Sequence, residues 1–185
     1  RSRGRPSHHN FSTPLDGFLY ASMGLAIGIN TILLLVLLFQ ITKNALKLPL
    51  TYLRSIQYGI FLSIIGRLIG VIMSAHKAHT FGGVDGGQGV PFFNWSTLWG
   101  DLRFAHFIGL HGLQTLVGLG FLLSFTFRGK IGESLSRLAI TSVFLLLFAF
   151  TVSATVTAIR GLPFFYPLKL QSLQTSGVLP SLNIH

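Results

Sequence analysis

The chain has no cysteine, and only four of its 185 side chains are carboxylates: Asp16, Asp85, Asp101 and Glu133. Lacking cysteine, it forms no disulfide, offers no thiolate nucleophile and builds no Cys-based zinc or iron–sulfur site. With so few acids, a two-carboxylate hydrolytic site requires that Asp85 and Asp101 meet in space. Charge of either sign is scarce as well. Charged residues make up 10% of the sequence, against roughly 25% in a soluble domain. So few charges do not cover a water-facing surface, and the bilayer must be the solvent for much of the chain.

What is present agrees with this. Half of the residues are hydrophobic and the mean hydropathy is +0.63. Four apolar segments stand out, at about 17–39, 56–75, 102–127 and 138–159. Each is long enough, at roughly 1.5 Å per helical residue, to cross a hydrocarbon core of about 30 Å. Backbone groups in lipid need partners within the segment, which leaves the helix as the conformation. The expected fold is an all-α integral membrane protein, with four transmembrane helices in an antiparallel bundle. A Gly- and aromatic-rich loop joins helices two and three. A polar basic arm, 1–16, precedes the transmembrane domain of 17–160, and an interfacial tail, 161–185, follows it.

The net charge of +10 does not point to nucleic acid. The bases are spread over the termini and short loops, without a stripe and without a nucleic-acid fold. Beside apolar spans, Lys and Arg meet lipid headgroups. The expected partners are membrane lipids and other membrane subunits. An even number of spans puts both termini on the side of the 76–101 loop. The bases divide almost evenly between the two faces, so the positive-inside rule yields only a lean: the two short basic connections face the cytoplasm.

Chemistry concentrates in GDLRFAHFIGLHGLQ, residues 100–114. Asp101, His106 and His111 are spaced five apart, a turn of about 140° at each step, and Asp101 and His111 lie about 15 Å apart along a helix. They do not ligate one metal from one helix, and no metal site is expected here. Asp101 stands where an N-cap carboxylate belongs. Arg103 is placed to pair with Asp85 or Asp101 or to reach the interface.

His111 lies about 13 Å into the span, with Gln114 on the same face at i+3. Gly109, Gly112, Gly118 and Gly120 leave room for a neighbouring helix or a flat ligand. Antiparallel packing brings Arg67 of the second segment to the level of His111. Thr151, Ser153 and Thr155 of the fourth segment, and Gly28, Asn30 and Thr31 of the first, reach the same level. A charge near mid-span costs at least about 2.5 kcal/mol and faces the bundle interior, a wet cavity or a partner. Either Arg67 bonds carbonyls and hydroxyls or reaches a partner subunit, or Arg67, His111 and Gln114 line an internal polar site. In the second case Arg67 meets an anionic group such as a carboxylate or propionate.

His76 and His79 close the second segment, and His106 opens the third on the same side of the membrane. Imidazoles from neighbouring helices suit a b-type haem or another tetrapyrrole, or copper or zinc. The candidate cofactor-binding set is therefore His111, His106, His76, His79, Arg67 and Gln114. The Gly-rich loop does not read as a phosphate-binding loop, because no strand is expected before it and no Lys-Ser/Thr follows. Its glycines permit tight turns, and Phe92, Phe93, Trp95 and Trp99 seat it at the interface, over the histidine-bearing end.

The run GGVDGGQGVPFFNWSTLWGDLRFAHFIGLHGLQ, Gly82 to Gln114, resembles a group of uncharacterised bacterial multi-pass membrane proteins. They share a pattern close to G-x-D-G-G-x-G-x-P, W-S-T and G-D-L-R-x-x-H-F-x-G-x-H-x-x-Q. The match falls on Asp85, Trp95, Asp101, Arg103, His106, His111 and Gln114. It implies a bacterial inner-membrane protein and carries no mechanism. Three functions are compatible with the residues. The first is an accessory or structural subunit of a larger membrane complex. The second is an electron-transfer protein holding b-type haem with histidines of helices two and three. The third is a small transporter or membrane enzyme with an Arg/His/Gln cavity.

Overall fold

The computed structural model describes residues 13–43, 48–86, 89–127 and 129–164. Four helices, α1 (Pro14–Lys43), α2 (Leu50–His76), α3 (Leu102–Thr126) and α4 (Lys130–Ile159), account for most of them. All four are long and apolar enough to cross a membrane, and the chain is an all-α integral membrane protein. Residues 1–12 of the basic arm and the tail beyond 164 lie outside the described residues.

Three of the helices run past the apolar segments that mark them, while α3 keeps to its own within a residue. α2 starts six residues before the apolar segment at 56, directly after Pro49, which has no N–H of its own to satisfy and whose φ of −53° leads into the helix. α4 starts eight residues before the segment at 138, so the basic stretch after Gly129 is helix rather than loop. Polar side chains in such end turns reach headgroup water while their backbone keeps its helical bonds. At the start of α1, Thr13 and Asp16 cap one another: the Asp16 amide donates to Thr13 Oγ1 at 3.2 Å and the Thr13 hydroxyl to Asp16 Oδ2 at 2.7 Å.

Successive helices run antiparallel, and the tightest joint is α2 on α3. A Cβ added to Gly66 would lie 2.7 Å from the Leu110 amide nitrogen, and one added to Gly109 would lie 2.6 Å from Gly66 Cα. The two backbones touch, as small residues allow where lipid supplies no hydrophobic drive. α4 completes a compact three-helix unit. Its Phe144 ring stacks on Tyr58 of α2 at 4.4 Å, and Ala154 and Ala158 join Ile69, Met73, Leu102 and Ala105 in a buried cluster at the loop end.

α1 is the exception. Ile41 is its buried residue, and it meets the flank of α2 through Thr42 with Gln57 (3.4 Å) and Asn30 with Arg67 (2.8 Å).

The α2–α3 connection is built as a lid. β1 (Thr80–Phe81) pairs antiparallel with β2 (Gly100–Asp101), Thr80 opposite Asp101. Gly82 takes φ +83°, where a Cβ would sit 2.9 Å from Gly161 Cα, so the loop lies directly on the end of α4. Trp95 packs on Phe93 at 4.4 Å and edge-on against Phe104 at 4.9 Å.

Candidate functional site

Two tiers of polar residues emerge, one at the loop rim and one at mid-span. At the rim, Asp101 is buried, with 7% of its surface exposed. Its carboxylate caps α3 by accepting the Arg103 amide at 2.9 Å, and it also accepts the Ser96 amide at 2.7 Å. The Arg103 guanidinium grips it twice, through Nε at 3.0 Å and Nη2 at 2.6 Å. Nη2 further donates to the carbonyl of Asn94 at 2.6 Å. Asp101 thus ties the helix start, the lid and Arg103 into one knot.

Asp85 forms the second knot. It accepts the amides of His79 (3.0 Å) and Thr80 (2.8 Å), and the His79 ring donates to it at 3.1 Å. Burial pushes its carboxyl up, but the Thr80 hydroxyl, the His79 amide and charge, and the Thr80 amide together outweigh this and hold it below the ordinary carboxylate range. The stabilisation is therefore complete above the unfolded value of about 3.9, and is lost as pH falls through the lowered folded value. Both tryptophans of the chain, Trp95 and Trp99, lie in this loop. We expect an acid transition in tryptophan fluorescence that Asp85→Asn removes, leaving a loosened loop already at neutral pH.

The histidines do not converge. His76 stacks on Phe81 at 4.0 Å and His79 is held by Asp85. His106 lies deeper, where its Nδ1 meets the Gly66 carbonyl at 2.7 Å. A carbonyl only accepts, so Nδ1 carries the proton. The ring covers Gly70, where a Cβ would stand 2.9 Å from it. His106 is thereby a bridge across the α2–α3 joint. Among the described residues, no group of three or more His or acidic side chains is placed to hold a metal ion.

At mid-span, Arg67 Nη1 donates to the Ser63 carbonyl at 3.1 Å and to the Ser63 hydroxyl, and Nη2 donates to Asn30 Oδ1 of α1 at 2.8 Å. Asn30 is one of the residues that depth alone brought to this level. His111 and Gln114 also share the depth of Arg67, but not its surroundings. Gly109 faces α2, and His111 is rotated by about 200° from it. His111 and Gln114 are exposed on the far side of α3, while Arg67 lies between α2 and α1. The His111 ring rests on Phe107 at 4.3 Å. The Gln114 amide group lies against the carbonyls of Leu110 and His111 of its own helix, and because carbonyls only accept, its nitrogen belongs on that side, at 3.0 and 3.3 Å. Thr151 and Thr155 return their hydroxyls to α4 carbonyls at 2.8 and 2.7 Å. The residues expected to line one internal site thus occupy separate faces.

Sequence reasoning missed two features. One is Ser63, which receives Arg67. Its spacing, four residues before the arginine, was a usable signal. The other is a cavity of about 300 Å³ at the opposite end, lined by Pro49, Thr51, Ser124, Phe125 and Glu133. The Ser124 hydroxyl there is buried without a hydrogen-bond partner among the described residues. Searches of the chain against family models, curated proteins and solved structures find no match.

Proposed function

We propose that the chain is an accessory or structural subunit of a larger membrane complex, and that it docks to other transmembrane helices through the outer face of α3. The supporting observation is that His111 and Gln114 stand at mid-span and point out of the bundle. In hydrocarbon such groups are costly and serve as contacts to neighbouring helices. Gly118 extends the same face, and a Cβ there would meet nothing within 4 Å, so a partner backbone has room to approach. The bacterial inner membrane is the proposed location, on the strength of the Gly82–Gln114 resemblance. The short basic connections are placed in the cytoplasm, with the lid and both termini on the outer side.

The test is purification of the tagged chain from its native membrane in a mild detergent. We expect a stoichiometric partner, and at least a tenfold loss of it in the His111→Leu/Gln114→Leu variant, with unchanged melting of the chain itself. A well-behaved protein that purifies alone sinks the reading. A Soret band in the same preparation, lost in His111→Ala, would replace it by the b-type haem alternative.

A further inference from the structure

Arg67 sits in a membrane span, and each of its three hydrogen-bond acceptors, the Ser63 carbonyl, the Ser63 hydroxyl and Asn30 Oδ1, is neutral. The four side-chain carboxylates of the protein are all placed elsewhere. Asp101 is bound to Arg103 and Asp85 to His79. Asp16 stands in the first turn of α1, and Glu133 in the first turn of α4, at the end away from the lid. A second copy of the chain repeats these placements and offers no acid at the depth of Arg67.

The depth of the guanidinium narrows the source of a counter-ion. Side chains on a helix lean towards its N-terminus, and the N-terminus of α2 lies at the end away from the lid. Arg67 therefore does not reach for the nearer interface. It turns inwards to Ser63, the central residue of the 27-residue helix. Asn30 likewise lies near the middle of α1. The charge is thus held at the level of the bilayer centre, about 15 Å from the edge of the hydrocarbon. Lipid phosphates lie beyond that edge.

We propose that Arg67, presented by Ser63 and Asn30, receives an aspartate or glutamate carboxylate from a transmembrane helix of another protein. This rests on the reading of the chain as a subunit and specifies the chemistry of its partner. The carboxylate approaches along the flank of α2 between α1 and α3, and it turns a costly isolated charge into an intramembrane ion pair. Specificity follows, because a partner span without an acid leaves the arginine uncompensated.

The test places a photo-crosslinking benzophenone side chain at Val71, an exposed position one turn from Arg67, in the full-length protein in its native membrane. The expected adduct maps to a span of another protein within one turn of an Asp or Glu. Arg67→Gln lowers its yield at least tenfold, whereas Arg67→Lys stays within threefold of the wild type. Replacing the partner's acid by its amide reproduces the Gln result. In the isolated chain, Arg67→Met removes an uncompensated charge and melts no lower than the wild type. A fall of more than about 5 °C would assign Arg67 to holding α1 on α2 and overturn the proposal. Adducts only with lipid or with a second copy also overturn it. So does a complex that keeps its partner in Arg67→Gln while losing it in His111→Leu/Gln114→Leu, an outcome that leaves the subunit reading standing. If no partner is retained by the wild type, both fall.

Discussion

Gly109→Val is expected to separate α2 from α3 and to destabilise the protein by about 3 kcal/mol, the upper range for forcing volume into a filled interior. The reason is that nothing soft stands in the way. A Cβ at Gly109 would come within 2.6 Å of Gly66 Cα and 2.9 Å of Gly66 N, and backbone does not change rotamer. The helices must move apart along their whole contact, and the His106 bond to the Gly66 carbonyl lengthens with them. Gly66→Val should cost a similar amount, because its Cβ would strike Leu110 N and Gly109 C at 2.7 and 2.8 Å.

The double variant should cost clearly less than the sum of the two, since the first substitution already opens the shared joint. Thermal melting in detergent, followed by tryptophan fluorescence, measures all three. Gly118→Val is the control: its Cβ enters open space, so the melt should stay within about 0.5 kcal/mol of the wild type. A normal melt for Gly109→Val would show that the α2–α3 backbone contact does not hold the bundle.

Asp101→Asn should be the most damaging change outside the helix joint, at about 3 kcal/mol. The amide keeps the shape of the side chain, and one oxygen can still cap Arg103 N. It loses the charge that holds the Arg103 guanidinium at 2.6 Å, and its amide nitrogen, in the place of Oδ2, turns donor hydrogens towards both the guanidinium and the Ser96 amide. One buried donor must then go without an acceptor. Arg103 is itself partly exposed, so the loss is smaller than for a wholly enclosed pair. The effect should read out locally first, as faster amide exchange at Ser96 and through the first turn of α3. Arg103→Gln should be milder, because Asp101 keeps its two amide donors. Equal damage from both would mean that the ion pair, not the cap, carries the stability.

Much of this was legible in the residues. The number of spans and their helical state follow from apolar length and from the need of backbone groups for partners in lipid. Asp101 as a cap followed from its place before an apolar run, and the common depth of Asn30, Arg67 and His111 followed from residue counting. Helix ends were read short at α2 and α4, because a hydropathy window stops where polar side chains begin, while the backbone bonds of the helix continue.

What a given residue faces was not legible. Apolar residues surround these helices on every side, so the sequence carries no stripe to set their rotation. Depth alone leaves an internal site with His111 and Gln114 as one of two readings, and the structure turns both residues outwards because Gly66 and Gly109 bring the backbones of α2 and α3 together on the opposite face. The seat of α1 on one flank of α2, and with it the approach of Asn30 to Arg67, is likewise a result of packing. By itself the sequence determined that this protein lives in a bilayer, how often it crosses, and how deep each polar group lies, because each depends on local composition and on a fixed rise per residue. Only the tertiary structure decided which of those groups meet, because the rotation of one helix against another is set by contacts between residues far apart in the chain.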